Sequence, residues 1–272
     1  MQEVRTGTDL YSMAELMAVV MSRALEKNDG TVGGVGMAAT IPMAAIRLAT
    51  LTVAPNIYWF CGSSGGFNPT FDFLPLTSAD ARALYGAEST QKMQDIVDMG
   101  GRGGWGFGFH GGMQIDKYGN ANLIGIGPYE HMKVRGPGSV GLPWAGRMEN
   151  AYLFTWHHNR SIFVERVDHL SGPGWLNGGE SRFERLKQRI NGPDRVFSPI
   201  CIMDFHETSH AMRLVSVNPG YTVADVIANT GFELIVPNEV PRTSPPTGHE
   251  LFVLRNFVDR GRLLKDFRLT VG

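Results

Sequence analysis

The chain contains the stretch Asn56-Ile57-Tyr58-Trp59-Phe60-Cys61-Gly62-Ser63-Ser64-Gly65-Gly66, in which an apolar, strand-forming run passes directly into a glycine-rich turn. Upstream of it, apolar residues at helical spacing predict a helix over Ser12–Lys27 that begins with a capping box. A short strand over Thr31–Val35 and a second helix from Pro42 to about Thr52 are predicted next. Helix, strand, helix, strand and glycine turn is the order of an α/β protein that binds ligands at strand ends.

The rest of the chain continues this mixed pattern. The predicted elements are a helix over Thr77–Val97, a glycine-rich loop or strand edge over Met99–Gly112, a hairpin over Met113–Ile126, a strand over Ser161–Val167, a helix over Ser181–Ile190, a hairpin that joins Phe197–Phe205 to Met212–Val217, and a helix from Thr222 to about Asn229. We predict a single α/β domain over residues 1–272, with a linker-like loop at 237–249 before the C-terminal segment.

Composition and charge exclude several classes of protein. The chain has 272 residues, 43% of them hydrophobic, and a formal net charge of −1, so it can bury a sizeable core and shows no basic face for nucleic acid. Its two cysteines, Cys61 and Cys201, lie far apart in unlike contexts, which argues against a disulfide framework. The acidic, amphipathic N-terminus does not show the basic-then-apolar pattern expected of a signal peptide, and no apolar run approaches the roughly 20 residues of a membrane span. These features predict a soluble cytoplasmic protein that binds neither nucleic acid nor membrane.

Glycines are concentrated in the first half of the chain. Four clusters lie beside apolar runs: Gly33, Gly34 and Gly36; Gly62, Gly65 and Gly66; the run Gly100–Gly112; and Gly136, Gly138 and Gly141. Glycine permits positive φ and close approach of the backbone to a ligand. The clusters therefore predict one binding site built from several loops, and ordinary loops are the alternative.

Several runs of sequence together resemble the β subunits of the class I CoA-transferase family. They are Leu51–Asn56, Gly112–Asn122, Val134–Gly138, Phe163–Asp168 and, most strongly, Met212–Val223 with Thr230-Gly231-Phe232. The resemblance implies a mostly parallel sheet flanked by helices and an active site shared with an α-type chain in an α2β2 heterotetramer. It also implies an acyl-CoA substrate, so that coenzyme A enters as part of the substrate and no other cofactor is tightly bound.

A second set of runs is similar to one branch of that family. It comprises Val134–Gly136, Phe163–Glu165, Ser171-Gly172 and Phe205–Arg213. The branch contains the β subunits of hydrolases that open the last rings of a CoA-linked sterol remnant. This likeness implies hydrolysis of a cyclic substrate.

The chain departs from the family pattern at the position of the catalytic glutamate. Transferases of this family carry a catalytic glutamate on the β chain, just after the strand that follows the run matched here by Ala54-Pro55-Asn56. This glutamate attacks the thioester and then carries CoA. Phe60–Gly66 occupies that place here, and no glutamate lies between Glu26 and Glu88. We expect hydrolytic carbon–carbon cleavage of a cyclic oxo-acyl-CoA in steroid-type catabolism, with the base on the α chain. The alternatives are CoA transfer of the glutaconate or oxoacid type, decarboxylation of an acyl-CoA, and a silent β chain that only shapes the pocket.

The candidate catalytic residues lie in the glycine-rich turn. They are Cys61, Ser63 and Ser64, and the candidate substrate-binding residues beside them are Gly62, Gly65 and Gly66. Such a turn can offer backbone N–H groups and hydroxyls to a thioester oxygen. The Cys61 side chain has two interpretations, an activated thiolate or a buried apolar group.

Three further candidate substrate contacts follow later in the chain. Arg102 can meet a CoA phosphate or a substrate carboxylate, and a solvated loop cation is the alternative. His110 lies in the same glycine-rich run, where a neutral imidazole suits a polar substrate group. The resemblance implies that Gln114, at a strand end, faces the site.

Two histidine patterns are not expected to bind metal. His206-Glu207-Thr208-Ser209-His210 matches the H-E-x-x-H pattern, but strand-like flanks place it at a hairpin tip, where the two imidazoles do not share a face. His157-His158 is expected to be the hydrated end of a helix or strand, because neighbours in sequence point apart. No metal site is predicted.

Overall fold

A computed structural model describes residues 2–3, 10–187 and 190–271. The helices are α1 Met13–Ala24, α2 Thr40–Thr50, α3 Met93–Gly101, α4 Ser181–Leu186, α5 Val223–Asn229 and α6 Gly248–Val253. The strands are β1 Gln2–Glu3, β2 Val32–Val35, β3 Tyr58–Cys61, β4 Gly66–Phe67, β5 Ser89–Thr90, β6 Phe107–His110, β7 Gln114–Asp116, β8 Ala121–Asn122, β9 Gly125–Ile126, β10 Val134–Arg135, β11 Asn150–Phe154, β12 His157–His158, β13 Phe163–Val164, β14 Pro193–Phe197, β15 Cys201–Phe205, β16 Met212–Val217 and β17 Thr270–Val271.

The chain divides into two compact units. The first unit contains residues 8–109 and 244–268, and the second unit contains residues 110–243 with both chain ends. The division after residue 243 falls within the stretch 237–249 that the sequence marks as linker-like. The prediction of one domain over the whole chain stays a prediction. No helix among the described residues combines the length and the apolar character of a membrane span.

The first unit is built on β2, which lies between two parallel neighbours. β2 pairs in parallel with β3 and with β6, whereas β4 and β5 extend the β3 edge in antiparallel fashion. A Cβ on Gly33 of β2 would lie 2.3 Å from the ring of Phe107, so only glycine allows this large ring to cover the strand. α1 begins with the predicted capping box, in which the hydroxyl of Ser12 accepts from the backbone of Glu15.

The second unit combines a parallel pair with antiparallel hairpins. β11 is parallel to β14, and β14, β15 and β16 follow one another in antiparallel order. β7 forms a hairpin with β8 and a parallel pair with β13. α5 starts at a second capping box, between Thr222 and Asp225. The parallel strand pairs and the buried helices α1 and α2 confirm the predicted α/β class.

The structure corrects three of the predicted elements. No continuous helix spans 77–97: within this described segment, a 3₁₀ turn at Ala81–Leu84 is followed by β5, and α3 begins only at Met93. Gly86 explains the break, because it has a φ of +62° and a Cβ there would lie 2.0 Å from the Thr70 hydroxyl. The predicted strand over 161–167 is shortened to β13.

The helix predicted over 181–190 also ends early. α4 stops at Leu186, and Lys187 follows it in the left-handed conformation with a φ of 55°. Residues 188 and 189, which the prediction included, lie outside the described residues.

Candidate functional site

The glycine-rich turn follows β3 at the carboxyl end of a parallel strand pair. Val35 and Cys61 are register partners, so β2 and β3 end side by side. The Gly62 N–H donates to the Val35 carbonyl over 2.9 Å, and the Gly65 N–H donates to the Cys61 carbonyl over 2.9 Å. Gly65 has a φ of +82°, and a Cβ there would lie 2.2 Å from the backbone oxygen of Gln91. The turn is therefore fixed to its own sheet and requires glycine at its end.

Ser63 and Ser64 lie at the tip of this turn and are partly exposed. The Ser63 hydroxyl accepts from the buried Ser78 hydroxyl over 3.1 Å, and the Ser64 hydroxyl donates weakly to the Cys61 carbonyl over 3.4 Å. Within the part of the chain that the structure describes, neither serine N–H reaches an acceptor, although the N–H groups of Gly62 and Gly65 both do. Two successive backbone donors are thus available to an oxygen of a bound substrate.

The Cys61 thiol is enclosed. The residue is 0% exposed, and its sulfur lies 3.8 Å from the Met43 sulfur. Burial raises the pKa of the thiol to about 12, so at neutral pH it remains protonated. These surroundings favour the interpretation of a buried apolar group, and a catalytic role for Cys61 stays a prediction.

The turn itself carries no carboxylate, as the sequence requires. Asp72, the next acidic residue along the chain, is exposed and lies 3.4 Å from Arg260 in an ion pair. Glu88 lies beside β4, the strand that follows the turn, because the Glu88 N–H donates to the carbonyl of Phe67 in that strand. Its side chain is exposed.

Arg102 lies just after α3 in the first unit. It is the C-cap of that helix, it is exposed, and its Nε donates to the Asp98 carbonyl over 3.1 Å. This contact is local to the helix end, as expected for the solvated-cation alternative. A substrate contact by Arg102 stays a prediction.

His110 and Gln114 belong to the second unit. His110 is the last residue of β6, its Nδ1 is shielded from solvent without a partner among the described residues, and burial lowers its pKa to about 4. The side-chain Oε1 of Gln114 accepts from the Asn122 side-chain amide over 2.7 Å and from the Asp168 backbone N–H over 3.0 Å. Gln114 thus holds its own hairpin together. Substrate contacts by these two residues stay predictions.

The H-E-x-x-H match lies on the turn between β15 and β16, as predicted. The His206 Nδ1 accepts from the Thr208 N–H over 3.3 Å, and the His210 ring stacks on Trp175 with ring centres 3.7 Å apart. The two imidazoles are held by different parts of the second unit. This arrangement differs from a helix that presents both histidines to one ion.

The expectation that His157-His158 forms a hydrated end is wrong for His158. Its side chain is 0% exposed, and its ring nitrogens lie 2.9 Å from the Ser198 hydroxyl and 3.2 Å from the Thr230 hydroxyl. Burial lowers its pKa to about 3. Because β12 alternates its side chains, His158 points inward and the imidazole is a buried structural group.

Sequence reasoning also missed Thr155. The residue follows β11 in the second unit, is 5% exposed, and has a buried hydroxyl without a partner among the described residues. A threonine after an apolar strand carries no signal that distinguishes it from ordinary packing. Only the tertiary structure reveals the unpaired hydroxyl.

Comparison with known proteins gives consistent matches over most of the chain. A family model described as Coenzyme A transferase matches residues 21–229. The B subunit of 3-oxoadipate CoA-transferase from Pseudomonas knackmussii is 31% identical over 247 residues, which cover 90% of this chain and 92% of that protein. The IpdB subunit of the cholesterol ring-cleaving hydrolase from Rhodococcus jostii is 31% identical over 235 residues, covering 86% and 87%. The crystal structure of glutaconate coenzyme A-transferase from Acidaminococcus fermentans matches with a TM-score of 0.82 and 25% identity, covering 98% of this chain and 100% of that chain.

Proposed function

The chain belongs to the coenzyme A transferase family as a B-type subunit, and we propose that it serves an enzyme that hydrolytically opens a ring of a cyclic oxo-acyl-CoA. The observation that carries the proposal is the turn after β3, which has no carboxylate and leaves the N–H groups of Ser63 and Ser64 without acceptors among the described residues. The similarity to a cholesterol ring-cleaving hydrolase supports a steroid-type substrate.

The proposed reaction adds water to a ring ketone that lies β to the thioester. The water oxygen bonds to the ketone carbon, one water proton passes to a base, and the bond from that carbon to the carbon next to the thioester breaks. The electron pair of the broken bond forms the enolate of the thioester, which is then protonated at carbon. The products are a new carboxylate and an intact CoA thioester, so no enzyme nucleophile is needed.

The turn supplies stabilisation of negative charge in this scheme. The enolate places charge on the thioester oxygen, where the N–H groups of Ser63 and Ser64 act as preorganised donors. Gly62, Gly65 and Gly66 hold the turn, and Cys61 contributes through its carbonyl, which accepts from Gly65. The base comes from an A-type partner chain, in keeping with relatives that are themselves named as single subunits of larger enzymes. Arg102, His110 and Gln114 remain proposed substrate contacts.

CoA transfer is the second candidate function. It is favoured by the 3-oxoadipate CoA-transferase relative, which is as similar to this chain as the hydrolase relative and is covered over 92% of its length. Transfer through an enzyme-bound thioester needs a carboxylate nucleophile. In this chain the Glu88 N–H donates to the carbonyl of Phe67 in β4, the strand that follows the turn, so Glu88 is the candidate nucleophile for transfer.

An isotope experiment on the complex with the A-type partner separates the two functions. We expect that a cyclohexanone-carboxyl-CoA with the ketone β to the thioester, incubated in heavy-oxygen water, gains one heavy oxygen in a new carboxylate and keeps its thioester. The reaction should need no acceptor acid, and Glu88→Gln should leave it unchanged. Movement of CoA to an added acid, lost in Glu88→Gln, would instead establish transfer.

A further inference from the structure

Ser78 is a buried residue of the first unit that contacts the turn after β3. Its side chain is 0% exposed, and its hydroxyl donates to the Ser63 hydroxyl over 3.1 Å. Among the described residues, Ser63 is the one acceptor that the Ser78 hydroxyl reaches. A buried hydroxyl without an acceptor is destabilising, so the hydrogen of Ser78 has to point at Ser63.

The same contact determines what the Ser63 hydroxyl can do. A hydroxyl has one hydrogen to donate and two lone pairs with which to accept. Because a lone pair of Ser63 accepts from Ser78, the hydrogen of Ser63 points elsewhere, and no acceptor for it lies in the part of the chain that the structure describes. Ser63 is partly exposed, so this hydrogen is available to a bound molecule. The tip of the turn therefore offers a side-chain O–H as well as the N–H groups of Ser63 and Ser64.

The backbone around Ser78 is fixed on both sides. Two residues before it, the Leu76 carbonyl accepts from the buried Thr40 hydroxyl at the start of α2 over 2.6 Å. Two residues after it, the Asp80 N–H donates to the Thr77 carbonyl over 3.0 Å and closes a tight turn. Ser78 therefore acts from a rigid support, and donors that are held in place before a reaction need no reorganisation during it.

We propose that Ser78 is a positioning residue, which holds the Ser63 hydroxyl as a donor to the substrate oxygen that becomes negatively charged. This inference deepens the proposed function and rests on it for the identity of that oxygen, the thioester oxygen of the enolate. Both serines keep their protons throughout. A hydroxyl that accepts a hydrogen bond becomes a stronger donor, and hydrogen bonds to charged oxygens are about twice as strong as neutral ones. Ser78 therefore stabilises the charged transition state more than the bound substrate.

Two CoA thioethers test this preference for charge in the purified complex with the A-type partner. Carboxymethyl-CoA carries a carboxylate in place of the enolate oxygen, and carbamoylmethyl-CoA is its neutral amide of nearly the same shape. The wild type should bind the carboxylate more tightly. In calorimetry, Ser63→Ala and Ser78→Ala should each weaken carboxymethyl-CoA about 10-fold and change the affinity for the amide little. Equal wild-type affinities for the two probes, or equal losses for both in Ser78→Ala, would overturn the proposal.

A double variant separates positioning from packing. Because Ser78 acts only through Ser63, the variant that combines Ser63→Ala with Ser78→Ala should bind carboxymethyl-CoA no more weakly than Ser63→Ala alone. Ser78→Thr, which keeps the hydroxyl, should restore most of the affinity, and the double variant decides even where the added methyl disturbs the core. Ser22→Ala, at a buried serine of α1, is the control and should behave like the wild type. Losses that multiply in the double variant would show that Ser78 only packs.

Turnover of the cyclohexanone-carboxyl-CoA measures the proposed function separately. In the hydrolytic reaction, Ser78→Ala should lower kcat about 10-fold and leave KM nearly unchanged. A raised KM with an unchanged kcat would contradict the role of Ser78. A wild type that binds carboxymethyl-CoA selectively but opens no ring would overturn hydrolysis, and the binding ratios would still decide whether Ser78 positions Ser63.

Discussion

Cys61 is the residue at which two chemical interpretations of the glycine turn differ. Burial raises the pKa of its thiol to about 12, so the thiolate required for nucleophilic attack is scarce at neutral pH. We expect iodoacetamide to leave Cys61 unmodified in the native complex at neutral pH. In denaturant Cys61 should react fully, as should Cys201, which is equally buried. Mass spectrometry of the alkylated protein measures both states, and rapid alkylation of native Cys61 with loss of turnover would identify a catalytic thiolate.

His158 couples stability to pH. Its pKa in the folded protein is lowered to about 3 by burial, below the roughly 6.5 of an unfolded histidine. The stabilisation of the neutral form is therefore complete above about pH 6.5 and is lost as the pH falls, by up to about 1.4 kcal/mol per pH unit. Urea unfolding at several pH values measures this slope. His158→Asn should be less stable at neutral pH but have a shallower slope, whereas substitution of the exposed His249 by Gln should leave the slope unchanged.

At the scale of elements, the turn between β3 and β4 depends on Gly65. A Cβ at this position would lie 2.2 Å from the Gln91 backbone oxygen, and the φ of +82° disfavours a side chain. Gly65→Ala should displace the neighbouring N–H donors and lower kcat about 100-fold or more. Gly248→Ala is the matched control, because a Cβ there meets nothing within 4 Å at the start of α6. A folded Gly65→Ala variant with full activity would remove the turn from the mechanism.

Two helices of the first unit are joined through their capping boxes. Glu15 accepts the Ser12 N–H over 2.8 Å at the start of α1 and also binds Arg255 Nε over 2.7 Å. At the start of α6, Glu250 plays the same double role, with Arg23 of α1 as its ion-pair partner at 2.7 Å. Each glutamate thus caps its own helix and binds an arginine of the other segment.

This arrangement predicts that Glu15 matters more than an ordinary surface carboxylate. Glu15 is 2% exposed, so Glu15→Gln leaves the Arg255 cation without its counter-charge and should cost about 2–4 kcal/mol of unfolding free energy. The control is Asp80→Asn, which breaks the more exposed ion pair with Arg82 and should cost less than about 1 kcal/mol. Chemical denaturation measures the unfolding free energy of both variants. Equally small losses of unfolding free energy in the two would show that the contact of Glu15 with Arg255 contributes no more than a surface ion pair.

At the scale of the whole molecule, the sequence predicts what depends on local pattern. The apolar spacing and Ser12 cap predicted α1, and the glycines after Cys61 predicted the turn. The prediction of a long helix over 77–97 was wrong because Gly86 packs against Thr70, and such a contact between residues far apart in sequence leaves no local pattern. Which N–H groups of the turn stay free depends on tertiary acceptors such as the Val35 carbonyl. The unpaired Thr155 hydroxyl is equally a property of the assembled fold, and periodicity cannot reveal it.

The exposed apolar side chains of the first unit predict dependence on a partner chain. Met37 is 65% exposed, Leu76 58% and Tyr85 60%. Large apolar groups left in solvent are typical of protein-binding surfaces, and binding of a partner to the native state raises stability by mass action. With the A-type chain at about 100 times its dissociation constant, the gain is about 2.7 kcal/mol, or about 5–10 °C in melting temperature. Differential scanning fluorimetry with and without the A-type chain measures the shift, with an unrelated protein at equal concentration as the control. Native mass spectrometry of the co-produced chains should give an α2β2 mass. An unchanged melting temperature and a mass for this chain alone would contradict the heteromer and, with it, the supply of the base from a partner.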